Sequence, residues 1–495
     1  MNRDIAIRFG LLIMALHTAS TSSVNAADWP TWRSDAQRSA ATTEQLADQL
    51  HPQWTLELPG LKPAWPEDPR LHFDATYEPV VAGTTLYYGS SRNDSVTAVD
   101  LVTGEDRWRF YADGPVRFAP LISGGMVYFA ADDGSLYCLT ADRGVLVWRF
   151  RAAPNERHVI GNERLISVWP VRGGPVLVDG RIHFTAGVWP FEGTFLYAVD
   201  AASGELVNSE PANRAPQHDV VTLNNMTPQG YLAANDTKLF IPQGRSIVGC
   251  RDRQNGGFDS FRYSTSRVTN YHVCATGQWL FHGTVTFDTA GKRQLGMSLR
   301  TPVLGQDMVY AGENGKVVAY DLTNPQEIER TDRRGKKSKV SVLTETWSLP
   351  NDQIRELPKT DYDTWLAANP LVIDVKAGNR LYGHQGKLVF AIDLPAADKS
   401  AAVSWKTEVD GTPTSMLVAN GHLVVVTAAG HMHCFGETLV DPGKRRQDQR
   451  PVDESADWTE RVAGLLKQSR PGDSYCVAMG IGSGGLIGEL VRQSD

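Results

Sequence analysis

The sequence contains few cysteines, and no two of them are adjacent. Five are spread over 495 residues, at Cys138, Cys250, Cys274, Cys434 and Cys476. Such a dispersed, odd-numbered set matches neither the ligand spacing of a zinc site nor the framework of a disulfide-rich domain. We therefore expect small buried core residues and no metal. The sequence leaves open whether Cys250 and Cys274 bond in an oxidising compartment.

Charge and long apolar runs are also limited. Charged residues make up 21% of the chain and the net charge is -7, which argues against nucleic acid as a main partner. The apolar run 9–16 is shorter than the roughly 20 residues that span a bilayer. It follows Arg3 and Arg8 and precedes small residues ending at Ala27, so residues 1–27 are predicted to be a signal peptide. We expect an exported, periplasmic or extracellular protein without a transmembrane segment, which reaches a membrane only through a partner.

Glycine and aromatic residues are plentiful, as in an all-β chain with many tight turns. Segments 83–110, 124–150 and 179–208 repeat one order of short apolar strands and turns. A glycine follows the turn residue by four positions, and the first two copies reach a tryptophan four positions later. The third copy has Asn208 at that place. The residues of this docking pattern are Asp100, Gly104, Trp108, Gly144, Trp148, Asp200 and Gly204, with Trp405 in a later copy.

Weaker copies continue to residue 436 and bring the number of units to eight. A four-stranded unit cannot bury both of its faces alone, whereas radial stacking buries them and leaves only short edges. Residues 52–60 form an outer strand without a blade of its own. We therefore predict an all-β, eight-bladed β-propeller over residues 52–436, following an N-terminal segment 28–51 and closed by that strand. A sandwich or solenoid is the alternative, which the orphan strand disfavours.

The stretch Ala98–Trp108, A-x-D-x-x-x-G-E-x-x-W, resembles the tryptophan-docking motif of PQQ-like (quinoprotein-type) eight-bladed propellers. Segments 28–33, 160–175 and 187–204 are similar to exported bacterial propeller proteins of the planctomycete type. The resemblance implies one of three classes: dehydrogenases of alcohols or sugars that use PQQ and calcium, assembly factors that bind protein partners, or sensors and extracellular binders.

The cysteines distinguish these classes in part. Many of the dehydrogenases carry two adjacent cysteines beneath the cofactor, and this chain has no such pair. We therefore expect a binding or scaffold module with no cofactor and no assigned catalytic residue. A dehydrogenase dependent on PQQ and Ca²⁺ is the alternative.

Three segments between predicted blades are unusually long: 60–78, 151–172 and 209–227. Loops of this length without regular structure are often functional. They would crowd one mouth of the central channel, where Arg, His, Asn and Trp side chains suit a protein partner or a small hydroxylated or anionic ligand. The same side chains can instead bridge blades. The predicted ligand-binding residues are Trp65, Arg70, His72, His158, Arg164, Trp169, Arg172, Asn224 and Asn225.

Two further features have structural interpretations. His431 and His433 share one face of a predicted strand, and without a third ligand we expect packed side chains rather than a metal site. The basic run 329–339 is predicted to be a solvated hairpin extension, with a polyanion contact as the alternative.

The chain ends with a change of composition. Residues 437–455 are polar and are predicted to be a linker, residues 456–470 have helical spacing, and residues 475–479 form an apolar strand before Gly480, Gly482 and Gly484. This order resembles the start of a class I methyltransferase domain. The acidic residue that would hold the ribose, expected about 20 residues later, falls beyond Asp495. We therefore predict that residues 456–495 form an incomplete, inactive Rossmann-like unit, with a fragment of a propeller–methyltransferase fusion as the alternative.

Overall fold

The computed structural model describes residues 27–494 with several gaps. These gaps are 162–163, 208–220, 224–225, 245, 260–269, 290–292, 296, 298, 332–334, 336, 358–360, 447–455, 469–475 and 477–483. The predicted signal peptide up to residue 26, and the predicted site residues Asn224, Asn225, Gly480 and Gly482, lie outside the described residues. The chain divides into two compact units, Met1–Arg445 and Arg446–Asp495.

The first unit is the predicted eight-bladed propeller. Eight sheets follow one another along the chain, each built around four antiparallel strands that run from an inner to an outer edge. Inner and middle strands are apolar and buried: every residue of Thr85–Ser90 is buried, whereas the outer strand Asp106–Tyr111 is largely exposed. This gradient follows from packing blade against blade, because the middle strands have neighbours on both faces.

Blades 1 to 4 each start at the inner strand and end at the outer one. Blade 1 contains Val80–Ala82, Thr85–Ser90, Ser95–Asp100 and Asp106–Tyr111; blade 2 contains Leu121–Ser123, Met126–Ala130, Ser135–Thr140 and Leu146–Arg151; blade 3 contains Val171–Val178, Arg181–Ala186, Phe195–Asp200 and Val221–Thr222, with Gly230–Tyr231 parallel to its inner strand; blade 4 contains Ala233–Ala234, Lys238–Ile241, Gly249–Asp252 and Phe258–Asp259.

Blades 5 to 8 follow the same order. Blade 5 contains Val273–Ala275, Trp279–His282, Val285–Asp288 and Arg293–Gln294; blade 6 contains Val303–Leu304, Met308–Glu313, Lys316–Thr331 and Lys337–Pro350; blade 7 contains Val372–Ala377, Arg380–Gln385, Leu388–Asp393 and Ala402–Glu408, with Ala41–Thr42 beside its inner strand; blade 8 contains Pro413–Ala419, His422–Thr427, His431–Gly436 and His51–Glu57, followed by Gly443–Arg446.

The first long strand of the chain closes the ring, as predicted. His51–Glu57 pairs antiparallel with His431–Gly436, with Trp54 opposite Cys434. Trp54 and Leu56 are buried, and the residues between and beside them are less so. Burial alternates along the strand because one of its faces packs on the neighbouring blade and the other is open to solvent.

The N-terminal segment 27–50 runs around the centre of the ring and contacts the blades in chain order. An inner strand has one unpaired edge, and its backbone N–H groups need acceptors. Carbonyl oxygens of the segment supply them. The donor–acceptor pairs are Val81 to Trp29, Ile122 to Pro30, Ala234 to Ala36, Ala275 to Gln37, Leu304 to Ser39 and Lys376 to Ala40.

Arg38 anchors this segment from inside the ring. Its side chain is fully buried and donates hydrogen bonds to the carbonyl oxygens of Leu232 and Pro175, at 2.8 and 2.9 Å, and to the Thr31 hydroxyl. Burial lowers the pKa of Arg38 to about 10. Blades 3 and 4 are thereby tied to the segment through one guanidinium group.

Tryptophans on outer strands pack over the turn glycines of the next blade. The indoles of Trp54, Trp108 and Trp148 cover Gly104, Gly144 and Gly204, and a Cβ on these glycines would lie 2.9, 2.5 and 2.6 Å from the ring above it. Their φ angles are also positive, which glycine adopts without strain. The turn carboxylates stabilise these loops: Asp200 accepts the backbone N–H groups of Ala202 and Ser203 at 3.0 and 2.9 Å. Trp405 donates to the carbonyl oxygen of Leu50 at 3.1 Å.

Two hairpins extend the ring. Lys316–Thr331 and Lys337–Pro350 form the predicted extension of blade 6, in which lysines of the basic run pair with glutamates of the facing strand. A second hairpin, His158–Gly161 with Arg164–Ser167, lies between blades 2 and 3. Within the described part of the first unit, the helical elements are the 3₁₀ turns Pro69–Leu71 and Asn351–Gln353 and the helix Tyr362–Ala368.

The second unit contains two helices, Ala456–Gln468 and Gly485–Gln493. Gln493 donates to the carbonyl oxygen of Thr459 at 3.0 Å, which joins the two. Gly484 precedes the second helix with a φ of 82°. The strand predicted between them lies outside the described residues, so the methyltransferase-like interpretation stays a prediction.

Four cysteines, Cys138, Cys250, Cys274 and Cys434, are buried in the propeller, and Cys476 is exposed. Cys250 and Cys274 lie on strands of adjacent blades, each packed among apolar neighbours. Among the described residues, no helix combines the length and hydropathy needed for a bilayer crossing.

Candidate binding surface

The propeller has two chemically different ends. Strand alternation places the turns between first and second strands, and between third and fourth strands, on one end, here called the turn face. The segments that join one blade to the next lie at the opposite end, here called the loop face. The N-terminal segment contacts the turn face, where Asp28 accepts the N–H of Gly83 at 2.7 Å. The predicted long loops belong to the loop face.

A cavity of about 300 Å³, here called the cup, lies between the segment 72–78, which precedes blade 1, and the first strands of blades 7 and 8. Trp32 and Arg33 of the N-terminal segment contribute to its wall. The polar residues that line it include Arg33, His72, Thr76, Glu78, His272, Thr301, Asp374, His384, Thr414 and Ser415. A small group of convergent polar side chains in a concave site is typical of ligand binding.

Arg33 and Glu78 carry the opposite charges of the cup. The Arg33 Nε donates to the carbonyl oxygen of Arg38 at 3.0 Å, and burial lowers the Arg33 pKa. Burial raises the pKa of Glu78 to about 7. The hydrogen bond from Ser415, at 2.6 Å, and the positive charge of Arg33 both lower this pKa, but burial has the larger effect. Near neutral pH the Glu78 carboxyl therefore exists in both protonation states.

Besides His72, two further histidines line the cup. The Nδ1 atom of His384 lies 2.8 Å from a carboxylate oxygen of Asp374, and both side chains are about nine-tenths buried. Burial and the nearby Arg33 lower the pKa of His272 to about 3, so this ring is neutral. The cup thus offers a carboxylate, a titrating carboxyl, a guanidinium and hydroxyl groups within one small volume.

The strand pair His158–Gly161 and Arg164–Ser167, between blades 2 and 3, carries exposed apolar side chains on the loop face. Ile160 and Leu165 are directly paired across its two strands, and they are 44% and 54% exposed. Arg164 anchors the hairpin to blade 1 through the carbonyl oxygens of Ser91 and Arg92, both at 3.2 Å, and through an ion pair with Asp94. The exposed pair is therefore presented by a fixed strand.

A second anchor holds the other side of this hairpin. Arg157 pairs with Glu192 at 2.8 Å, and its guanidinium lies 5.4 Å from the ring centre of buried Trp169. The Trp169 indole donates to the backbone oxygen of Glu192 at 2.7 Å. Phe191, beside this contact, is 83% exposed.

Four buried charges connect the loops of blades 1, 2 and 3. Arg117 bridges Asp74 and Asp132 at 2.5 and 2.6 Å, and Arg172 pairs with Asp132 at 2.7 Å, with side chains at most 3% exposed. Burial opposes ionisation of Asp132, but Arg172 and Arg117 outweigh it and lower its pKa. These residues join neighbouring blades beneath the surface of the loop face.

The structure distributes the predicted site residues over three environments. His72 lines the cup; Trp65 donates to Gln229 at 3.2 Å nearby, and Arg70 pairs with Asp68 at 3.0 Å. His158 is exposed on the hairpin that Arg164 anchors. Trp169 and Arg172 are buried supports of that region. Within the described residues, most of the predicted set surrounds the hairpin, and one member faces the cup.

Sequence reasoning missed most of the cup. Glu78 and Thr301 each directly precede the proline that opens a blade, at Pro79 and Pro302, and this repeated position identifies residues at the loop-face mouth. Arg33 lies in the N-terminal segment, and no pattern in the repeats places that segment inside the ring.

PQQ with calcium is the group that the family resemblance implies. Trp32 lies in the wall of the cup, and its ring stacks on two other side chains. Its ring centre lies 4.1 Å from that of Tyr231 and 5.7 Å from that of His272. Ca²⁺ takes six to eight oxygen ligands, and within the described residues no group of three or more His, Cys, Asp or Glu side chains is placed to hold a metal. The expectation that the chain binds no cofactor stays a prediction.

Comparison with known protein families assigns the propeller to one of them. A family model described as outer membrane protein assembly factor BamB matches residues 22–293, more than half of the chain. The chain belongs to this family. The surface described above therefore belongs to a propeller of the BamB family, which agrees with the PQQ-like resemblance of the repeat.

Solved structures show lower similarity. BamB from Moraxella catarrhalis is 13% identical with a TM-score of 0.36, over 79% of this chain and 99% of that one. A quinohemoprotein alcohol dehydrogenase from Comamonas testosteroni is 13% identical with a TM-score of 0.49, over 89% and 86%. A europium-containing methanol dehydrogenase is 11% identical with a TM-score of 0.49, over 83% and 98%. No curated protein matches the chain. The assignment to the BamB family therefore rests on the family model.

Proposed function

We propose that this BamB-family propeller is an exported binding module that engages a partner protein through its loop face. The observation that carries the proposal is the exposed pair Ile160 and Leu165 on a hairpin anchored at both sides. Ordering a flexible loop on binding costs free energy. A hairpin already fixed to blades 1 and 3 avoids most of that cost.

Site-specific crosslinking tests this proposal. A photoreactive amino acid replaces Leu165 in one variant and Val102 in another, and each protein is produced with its own signal sequence and irradiated in the cell envelope. The two positions are matched in exposure, at 54% and 53%, but Val102 lies on the turn face. We expect one discrete adduct at Leu165, lost when Ile160→Glu is added. Equal labelling at both positions, or none at Leu165, contradicts the proposal.

A second candidate function is favoured by the cup. Its carboxyl groups, Arg33 and hydroxyl side chains suit a small hydroxylated ligand. Calorimetric titration of the mature chain with a panel of monosaccharides tests it, with Glu78→Gln as the cup variant and Glu156→Gln as the surface control. Saturable heat that only Glu78→Gln weakens supports a small-ligand binder, and heat that is absent or unaffected rejects it.

The dehydrogenase alternative is tested separately. The mature chain is incubated with PQQ and CaCl₂ and assayed with a redox dye over alcohols and sugars. We expect no turnover, because the chain lacks the adjacent cysteine pair that many of these dehydrogenases carry. Turnover would replace the binding-module proposal. Titration with S-adenosylmethionine tests the methyltransferase-like tail in the same way, with no saturable heat expected.

A further inference from the structure

The first residues of the N-terminal segment are held at one place on the turn face. Trp29 and Val81 exchange two backbone hydrogen bonds, at 2.9 and 2.8 Å. Asp28 accepts the N–H of Gly83 at 2.7 Å, and the side-chain amide of Asn420 donates to the carbonyl oxygen of Gly83 at 2.6 Å. Gly83 and Asn420 lie in the first turns of blades 1 and 8. These residues therefore lie at the seam where the ring closes.

Glu44 is buried at this seam, and its carboxylate accepts hydrogen bonds from backbone donors. The residue is 1% exposed. It accepts the N–H of Asn420 at 2.9 Å and that of Gly421. The backbone nitrogen of Ala27 lies 3.2 Å from its Oε2 atom. Within the described residues, no Lys, Arg or His side chain forms an ion pair with Glu44. Buried carboxylates are rarely left without a counter-charge, so a cation at this site would be stabilising.

The Ala27 nitrogen becomes a cation when the peptide bond before it is hydrolysed. A cut after Ala26 places Val24 and Ala26 at the third and first positions before the bond, as in the A-x-A-like sites of signal peptides. A cut after Ala27, the predicted end of the signal peptide, would place Asn25 at the third position. An endopeptidase of the export machinery would supply the hydrolysis. The oxygen of one water molecule then enters the Ala26 carboxylate, and its two protons join the Ala27 nitrogen to give an α-ammonium group. Such groups are largely protonated near pH 7.

We propose that the chain is processed at the Ala26–Ala27 bond and that Glu44 binds the α-ammonium group so formed. A charge-assisted hydrogen bond is about twice as strong as a neutral one, so processing strengthens the contact that the Ala27 nitrogen makes. A cut one residue later removes this contact, and retention of Ala26 leaves a neutral amide. The ion pair reinforces the junction of blades 8 and 1. The inference rests on export, which is part of the proposed function, and does not involve the partner surface on the loop face.

The position of the cut is tested on the full chain produced with its own signal sequence. Mass spectrometry of the protein purified from the cell envelope identifies its first residue. We expect Ala27, and a protein that starts at Ala26 or Asp28 overturns the proposal. An unprocessed chain overturns it as well and also removes the export on which the proposed function depends. A different first residue together with an intact crosslink at Leu165 would overturn this inference alone.

The ion pair is tested with two matched chains, released from a cleavable N-terminal fusion so that one starts at Ala27 and the other at Ala26. The longer chain also has an α-ammonium group, but one residue away from Glu44. We expect the chain that starts at Ala27 to melt about 2 °C higher. Glu44→Gln should abolish this difference, and Glu156→Gln, at a position whose side chain is 84% exposed, should preserve it. Equal melting temperatures of the two starts, or a difference that persists in Glu44→Gln, overturn the proposal.

A chemical measurement keeps the proposal testable if Glu44→Gln does not fold. The two chains with wild-type Glu44 are treated with acetic anhydride at pH 7, and acetylation of the first residue is followed by mass spectrometry. Only the unprotonated amine reacts, and a nearby carboxylate favours the protonated form. We expect the α-amino group of Ala27 to react about threefold more slowly than that of Ala26 in the longer chain. Equal rates, or faster reaction of Ala27, overturn the ion pair with Glu44.

Discussion

The indole N–H of Trp54 donates a hydrogen bond to the carbonyl oxygen of Leu101 at 2.8 Å, and so joins the last blade to the first. Trp54 precedes every strand of blade 1 in the sequence, yet it belongs to blade 8. One buried side chain therefore supplies both the apolar contact and the hydrogen bond at the point where the ring closes.

Truncation of this tryptophan should open the closing seam. We expect Trp54→Ala to lower the free energy of unfolding by about 3–5 kcal/mol, as for other buried aromatic truncations. Trp54→Phe keeps an apolar ring but loses the hydrogen bond, and should have the smaller effect. Urea unfolding followed by tryptophan fluorescence measures both, and equal midpoints for wild type and Trp54→Ala would contradict the closure role.

The turn glycine of blade 2 should tolerate no Cβ. Gly144 has a φ of 65°, and a Cβ would lie 2.5 Å from the ring of Trp108. Gly124 of the same blade has a φ of 56° but nothing within 4 Å. Both alanine variants incur the strain of positive φ, and only Gly144→Ala should add an overpacking cost of about 1–3 kcal/mol. Thermal unfolding measures the difference in stability between the two variants. Equal melting temperatures would disprove the overpacking cost at Gly144.

The buried charge network beneath the loop face should be sensitive to loss of its central carboxylate. Asp132→Asn leaves Arg117 and Arg172 buried without their shared counter-charge, and we expect a loss of about 3–5 kcal/mol in the free energy of unfolding. Asp142→Asn is the control, because the Asp142–Arg143 pair is 69% and 75% exposed and exposed pairs contribute about 0–1 kcal/mol. Similar denaturation midpoints for the two variants would refute the structural role of the network.

Glu78 should make stability depend on pH between about 4.5 and 7. Its pKa rises from 4.5 to about 7 on folding because the carboxyl is buried. In this window the unfolded chain has released a proton that the folded chain retains, so the contribution of Glu78 to stability falls as the pH rises and levels off above pH 7.

Glu78→Gln should remove this dependence. Relative to wild type, the variant should gain stability at pH 7.5 and differ little at pH 4.5. Glu156→Gln, at a position whose side chain is 84% exposed, serves as the control. Urea midpoints at the two pH values provide the measurement, and a wild-type pH profile unchanged by Glu78→Gln would count against the raised pKa.

Local signals predicted the ring well but the candidate surface incompletely. The spacing of Gly104 and Trp108 recurs in Gly144 and Trp148 because both tryptophans pack over a glycine of the next blade, and that spacing is visible in the sequence. Arg172 shows the limit of such reasoning: its residue type suits a ligand site, and the fold pairs it with Asp132, 40 residues away. The assignment of loop-face residues as ligand-binding residues stays a prediction.

The sequence by itself determined the blade repeat, the number of units and the strand that closes the ring, because these follow from alternating burial and turn chemistry within about 40 residues. Only the tertiary structure decided that Arg33 and Arg38 enter the centre of the propeller, and that Arg172 pairs with Asp132. Those placements depend on contacts between distant segments. They arise because the unpaired edges of inner strands and the buried charges need hydrogen-bond partners, which the closed ring brings beside them.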